Sequence, residues 1–336
     1  MSLPRDKNNL DLKTAVAGEI LLFMNDLRRR YHISALKPDP ENSKKSEAGD
    51  SSAPIRRVMD SLNLFLQNGG HLKRPLLFLK THLEMGGKLT PGIIRAAAGL
   101  ELLHTFALIH DDLVDSSDTR RGGPSLHILL RDNNLALISG DLLQAAALRL
   151  FMSSDCSYHL RERALDMILQ TAERTCMGQS LDLTMKSHNL INMSRNEVFR
   201  IYDLKTGLYS FSCPMCCGAI LAGADVKEIR RLFSAGISMG RAFQIRDDLS
   251  EIPCSNGETN EETSEVGRWN DLLHCRATLP FWYGLRTACG SDLNILRESF
   301  GKPDRDQTIA QILLRCGAIE ACSKDALRFE KRGFSV

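Results

Sequence analysis

The sequence predicts an all-α fold, and three observations carry that prediction. Apolar residues recur at three- and four-residue steps through nearly every long segment. Alternating patterns flanked by turns, the mark of strands, are scarce. Alanine and leucine, both good helix formers, are plentiful. The chain has 336 residues, 43% of them hydrophobic, which is ample for a sizeable core in one large domain or two.

The elements follow in order. The stretch "LKTAVAGEILLFMNDLRRR" predicts an N-terminal helix within residues 1–34, with Arg28, Arg29 and Arg30 as its solvated end. Residues 35–55, "ALKPDPENSKKSEAGDSSAPI", carry Pro, Ser, Gly and charges of both signs and read as a flexible polar linker. Residues 56–336 then read as one helical domain. Its clearest helices are "IRRVMDSLNLFLQ", "IIRAAAGLELLHTFALIHDD" and "RRLFSAGISMGRAFQIRDDL". Residues 253–270, "PCSNGETNEETSEVGRWN", break the pattern beside an acidic cluster and read equally well as a mobile lid or a solvated loop. No internal repeat of solenoid period is present.

Composition excludes several function classes. Net charge is +2, from 43 basic and 41 acidic residues, with no basic stripe interleaved with aromatics, so nucleic acid is not an expected partner. The ten cysteines have no regular spacing. Cys213-Pro-Met-Cys216, followed by Cys217, lacks the two further ligands of a zinc site and the βαβ context of a redox pair, so these read as core thiols. Many unpaired thiols suit a reducing compartment. No segment has about 18 uninterrupted apolar residues, so no transmembrane segment is expected. The early run "ILLFM" is too short for a signal-peptide core, which makes the cytoplasm the default location.

Carboxylates carry the chemistry. Asp111-Asp112-x-x-Asp115 closes one apolar helix, and Asp247-Asp248-x-x-Glu251 closes another. On a helix, positions i, i+1 and i+4 lie within an arc of about 100°, so each set shares a face. Two unit charges about 4 Å apart repel by about 4 kcal/mol at an effective dielectric near 20. Such sets therefore stay partly protonated or take up cations. Mg²⁺ suits oxygen ligands and bridges carboxylates to phosphate oxygens, which implies a polyphosphate ligand. The oily run "LLHTFALI" before Asp111 implies that the ligand's other end is apolar. One such motif alone is usually a solvated acidic face; two, each ending an apolar helix, point to a site.

A string of motifs accompanies them: "GGHLKRP" at 69–75, "ELLHTFALIHDDLVD" at 101–115, "RRGGPSLH" at 120–127, "SGDLL" at 139–143, "GQSLDL" at 178–183, "KTG" at 205–207, "GRAFQIRDDLSE" at 240–251 and "CRATLP" at 275–280. In kind and order this string resembles the trans-isoprenyl diphosphate synthases, over roughly residues 55–320. The resemblance implies an isoprenoid synthase helical bundle around a central cavity, and a homodimer. It implies condensation of isopentenyl diphosphate with an allylic diphosphate (dimethylallyl, geranyl or farnesyl). Asp111, Asp112, Asp115, Asp247 and Asp248 would hold about three Mg²⁺ ions, with Mn²⁺ as a substitute. Glu251 stands where the family has a last aspartate.

By the same resemblance, Arg120, Lys205 and Arg268 reach the allylic diphosphate, and Arg268 replaces a lysine. Thr206 and Gln244 line the reaction centre. Gly70, His71, Arg74, His104 and Arg121 form the isopentenyl diphosphate site. His71 replaces a lysine, and histidine is fully charged only when protonated, so weaker binding is expected, more so above neutral pH. Leu103, Phe106 and Ala107, on the helix ending at Asp111, would set the floor of the tail pocket. Each helical turn rises about 5.4 Å, close to one isoprene unit. A bulky Phe106 beside a small Ala107 implies a C20 product, with C15 the nearest alternative.

Two other readings remain. A class I terpene cyclase also opens with DDxxD, but "DDLSE" lacks the asparagine of its second metal motif. A non-catalytic regulatory subunit of a heteromeric prenyl synthase would fit His71, Glu251 and a chain that stops earlier than the family's usual basic tail.

Overall fold

The computed structural model describes residues 7–31, 53–185, 187–253, 269–302 and 305–334. Most of the expected linker (35–52 of 35–55) and most of the expected lid or loop (254–268 of 253–270) lie outside the described residues. The predicted all-α class is borne out. The chain gathers into two compact units, Met1–Leu165 and Asp166–Val336, a division the sequence reading does not draw.

The first unit is built around α4 (Pro91–Asp115), which packs against α6 (Asn133–Met152), α1 (Lys7–Arg30) and α3 (Lys73–Glu84). Helix α4 starts where its sequence says it must. The Thr90 hydroxyl accepts from the Ile93 amide at 3.2 Å, and Pro91 supplies a preset first residue. Asp132 caps α6 by accepting from the amides of Asn134 and Leu135. Gly99 lets the two helices meet closely, since a Cβ there would lie 2.7 Å from the Ala147 carbonyl oxygen. Helices α4 and α6 are long and apolar enough to cross a membrane, with mean hydropathy 1.4 and 1.5. Both are partly buried inside the protein, 61% and 44% of the apolar stretch, and core helices pass the same test.

One feature of this unit departs from the expected pure helix. Strands β1 (Thr119–Arg120) and β2 (Gly123–Pro124) pair antiparallel across a two-residue turn. Both turn residues have positive φ, 55° at Arg121 and 75° at Gly122, as a type I′ hairpin requires. Glycine accepts that conformation freely; arginine is strained in it.

The second unit is built around α10 (Val226–Ser250). Asp225 caps it by accepting from the Glu228 amide at 2.8 Å. Helix α8 (Arg195–Tyr202) opens with a reciprocal Ser194–Glu197 capping box. It runs into a π-helical stretch, Asp203–Ser212, and then α9 (Cys213–Leu221). Pro214 near the start of α9 removes an amide donor, which favours the looser hydrogen bonding just before it. Gly207 of the π stretch and Gly240 of α10 touch backbone to backbone: a Cβ on Gly240 would lie 2.2 Å from the Gly207 Cα. Cys213, Cys216 and Cys217 are buried in α9, as core thiols should be, and burial pushes the Cys216 thiol up to about 12. Helices α12 (Leu279–Thr287), α14 (Asp306–Arg315) and α15 (Ala318–Phe334) complete the unit. Its core stacks Trp269 on Phe281 at 5.0 Å.

Candidate active site

In the first unit, the end of α4 and the hairpin bring the predicted residues together. Asp112 is 1% exposed, while Asp111 and Asp115 are half-buried. Arg120 donates to Asp112 Oδ1 from Nε at 2.7 Å and from its terminal nitrogen. Asp112 Oδ2 is buried with no donor at bonding geometry. Burial raises the Asp112 carboxyl above its ordinary range, opposed by Arg120 and the nearby Ser125 hydroxyl. Arg120 and Arg121 are thus hairpin residues rather than a helix-end charge pair.

Arg121 is held by a residue sequence reasoning missed. Glu101, 4% exposed, accepts from its guanidinium at 3.1 Å. Burial raises the Glu101 carboxyl, and Arg121 and Arg74 pull it back. Gly70 sits against the same guanidinium, where a Cβ would lie 2.7 Å from the Arg121 Cζ. Arg74, on α3, is half-buried, and His71 just before α3 is exposed. His104 is held well below the ordinary histidine range, first by burial and then by Arg74, Arg121 and Arg120. The positive charge of this cluster therefore comes from its arginines, and His104 contributes a neutral imidazole. Leu103 is buried on α4, while Phe106 and Ala107 are half-buried.

In the second unit, Thr206 of the π stretch donates to Gln244 Oε1 at 2.7 Å, so these two predicted residues do meet. The Gln244 amide donates to Asp248 Oδ1 at 2.9 Å. Tyr202, fully enclosed, donates to Asp248 Oδ2 and accepts from the Leu279 amide at 2.7 Å. Asp247, one residue earlier, is exposed. Glu251 caps α10 rather than belonging to it, and accepts from the Asp271 amide at 3.3 Å. Lys205 donates to Asp182 at 2.5 Å, and Arg276 donates to the same carboxylate oxygen. Asp182 and Arg276 carried no assigned role, although "GQSLDL" and "CRATLP" contain them. Arg268 lies outside the described residues. Among the described residues, no three acidic, histidine or cysteine side chains converge closely enough to hold a metal ion by themselves.

Burial pushes the Asp248 carboxyl up to about 7, against hydrogen bonds from Gln244 and Tyr202 that favour its ionised form. Nearby Asp247 and Glu251 push it the same way as burial. The unfolded chain releases this proton at a lower pH than the folded one. Stability from this group is therefore full below the ordinary aspartate range and declines as pH rises towards 7. In urea melts of metal-free protein at about pH 5 and about pH 7.5, Asp248→Asn should narrow the wild-type difference between the two conditions. An unchanged difference contradicts the burial argument.

A model of the polyprenyl synthetase family matches residues 55–315. The chain is 30% identical over 323 residues to a short chain isoprenyl diphosphate synthase of Methanothermobacter thermautotrophicus, covering 94% of this chain and 93% of that one. It is 29% identical over 290 residues to a geranylfarnesyl diphosphate synthase of Aeropyrum pernix, covering 85% and 88%. In fold it resembles a geranylgeranyl pyrophosphate synthase from Corynebacterium glutamicum, solved with isoprenyl diphosphate and magnesium. That likeness has a TM-score of 0.80 at 24% identity over 96% of this chain and 91% of the other. The chain belongs to the polyprenyl synthetase family, and it is a prenyltransferase of the trans type on that family's all-α fold.

Proposed function

We propose that this protein joins isopentenyl diphosphate to an allylic diphosphate, releasing inorganic diphosphate and forming a short-chain prenyl diphosphate, C20 in preference to C15. One observation carries the reading: a buried aspartate near the end of the apolar helix α4 is gripped by Arg120, and Arg121 and Arg74 surround a second buried carboxylate, Glu101, farther up the same helix. Fixed positive charge and carboxylate oxygen on an apolar helix support a site for an anionic, partly apolar ligand.

The residues fit a divalent cation. Asp112 offers a buried oxygen with no donor of its own, and Asp111 and Asp115 lie on the same helix turn. Asp247, Asp248 and Glu251 are the corresponding donors of the second unit. A magnesium ion keeps several waters and accepts phosphate oxygens, so it needs no all-protein cage. When bound, it supplies charge that stabilises the departing diphosphate.

The chain's own residues do the rest. In the first unit Arg120, oriented by Asp112, offers fixed charge to a diphosphate; in the second, Lys205, oriented by Asp182, does the same. Gly70, Arg74, Arg121 and neutral His104 bind isopentenyl diphosphate, with His71 at the rim. Thr206 and Gln244 present polar oxygens to developing positive charge. The departing diphosphate takes the final proton, so no protein base is required. A cytoplasmic homodimer completes the reading, supported by exposed Leu137 and Ile138 on α6.

The test is incubation of purified protein with Mg²⁺, labelled isopentenyl diphosphate and each allylic primer in turn, reading product length by chromatography. Elongation mainly to C20 is expected. A hydrocarbon from farnesyl diphosphate alone indicates a cyclase instead. Activity only on mixing with a catalytic homologue indicates a regulatory subunit.

A further inference from the structure

The prenyl-transfer reading gives His110 no role, although it stands one residue before the first acidic group. Its imidazole is wedged between two elements of the first unit. On one side it meets the Phe106 ring edge-on, with centroids 4.5 Å apart and planes at 64°. On the other it lies against α6. Nε2 is 3.2 Å from the Leu137 carbonyl oxygen. A carbonyl only accepts, so this nitrogen carries the proton. The same nitrogen lies 3.6 Å from Asp141 Oδ1. Gly140 forms the wall behind it, and a Cβ there would lie 2.6 Å from both Cδ2 and Nε2. The ring is therefore pinned in position and packed from behind by main chain.

Phe106 lies one turn earlier on the same face of α4, so its ring cannot swing towards α6 while the imidazole stands there. We infer that His110 is a specificity-determining residue that sets product length by buttressing Phe106, through a wedge seated on the backbone of Gly140. The inference rests on the prenyl-transfer reading and on Phe106 as the floor of the tail pocket. It adds that the floor is only as firm as the packing of α4 on α6. Without the imidazole, Phe106 gains room to turn aside, and the tail gains about one helical turn, 5.4 Å, close to one isoprene unit.

The test compares wild type, Phe106→Ala and His110→Ala at matched turnover, reading the ratio of product one unit longer to wild-type product. An increase of about tenfold or more in both variants is expected, the scale on which one small apolar group alters discrimination. If Phe106→Ala lengthens the product and His110→Ala does not, the buttress is overturned while the floor stands. If neither lengthens it, the floor and the buttress both fall, whereas total prenyl transfer still reports on the underlying activity. Should His110→Ala not fold, Gly140→Ala serves, because its methyl group displaces the imidazole from the α6 side. A product ratio identical to wild type in that variant overturns the inference.

Discussion

Asp112→Asn should lower kcat by about 100- to 1,000-fold at saturating substrate and Mg²⁺, with the fold retained. The substitution preserves volume, so the buried pocket around the side chain stays filled. It removes the charge that the proposed metal contact at Oδ2 requires, and it weakens the grip on Arg120. On the proposed reading two functions fail together, because one carboxylate serves both: Oδ1 orients Arg120, and the buried Oδ2 is the oxygen offered to a divalent cation. Circular dichroism separates this from unfolding, and a magnesium titration separates the two losses. A kcat within about tenfold of wild type means that Asp112 is a structural partner of Arg120 and nothing more.

The second large effect is on stability. Asp182 is 8% exposed and receives hydrogen bonds from both Lys205 and Arg276. Burial works against its ionisation, but Lys205 and Arg276 together outweigh it and hold the carboxyl below the ordinary range. Asp182→Asn leaves two positive groups side by side with their shared counter-charge gone. Breaking a buried pair in this way costs about 3 kcal/mol or more. For a unit of this size that corresponds to a fall in Tm of roughly 6–12 °C. The depressed pKa sets the pH behaviour. The contribution is present at neutral pH and disappears as pH falls through the folded-state value, so the gap between variant and wild type should close in acid. A constant gap across that range means packing, not charge, accounts for the loss.

Much of this architecture is legible in the sequence, for physical reasons that differ by element. Thr90-Pro91 and Asp225 announce the starts of α4 and α10 because capping is local chemistry, settled within four residues. The two acidic groups are equally local, since a shared helical face follows from spacing alone. The hairpin at 119–124 escaped because its turn carries arginine, not asparagine or aspartate, at the first positive-φ position. That conformation is held by tertiary contact with Glu101, a partner 20 residues away. The π stretch escaped because one widened turn barely disturbs a 3.6-residue pattern. Asp182 and Arg276 escaped because they are 94 residues apart, and neither signals the other without the fold. Tyr202 carries no signal in the sequence, whereas in the structure its hydroxyl fixes Asp248.

The contact of Gly207 with Gly240 has a wider meaning. Thr206 and Gln244 flank that contact, so the register of their hydrogen bond is inherited from main chain, with no side chain in between to give way. Most polar arrays can absorb small displacements by changing rotamers. Here the spacer is already at its minimum thickness, so even one added methyl group forces the two helices apart and stretches the Thr206–Gln244 hydrogen bond without altering any of its polar atoms.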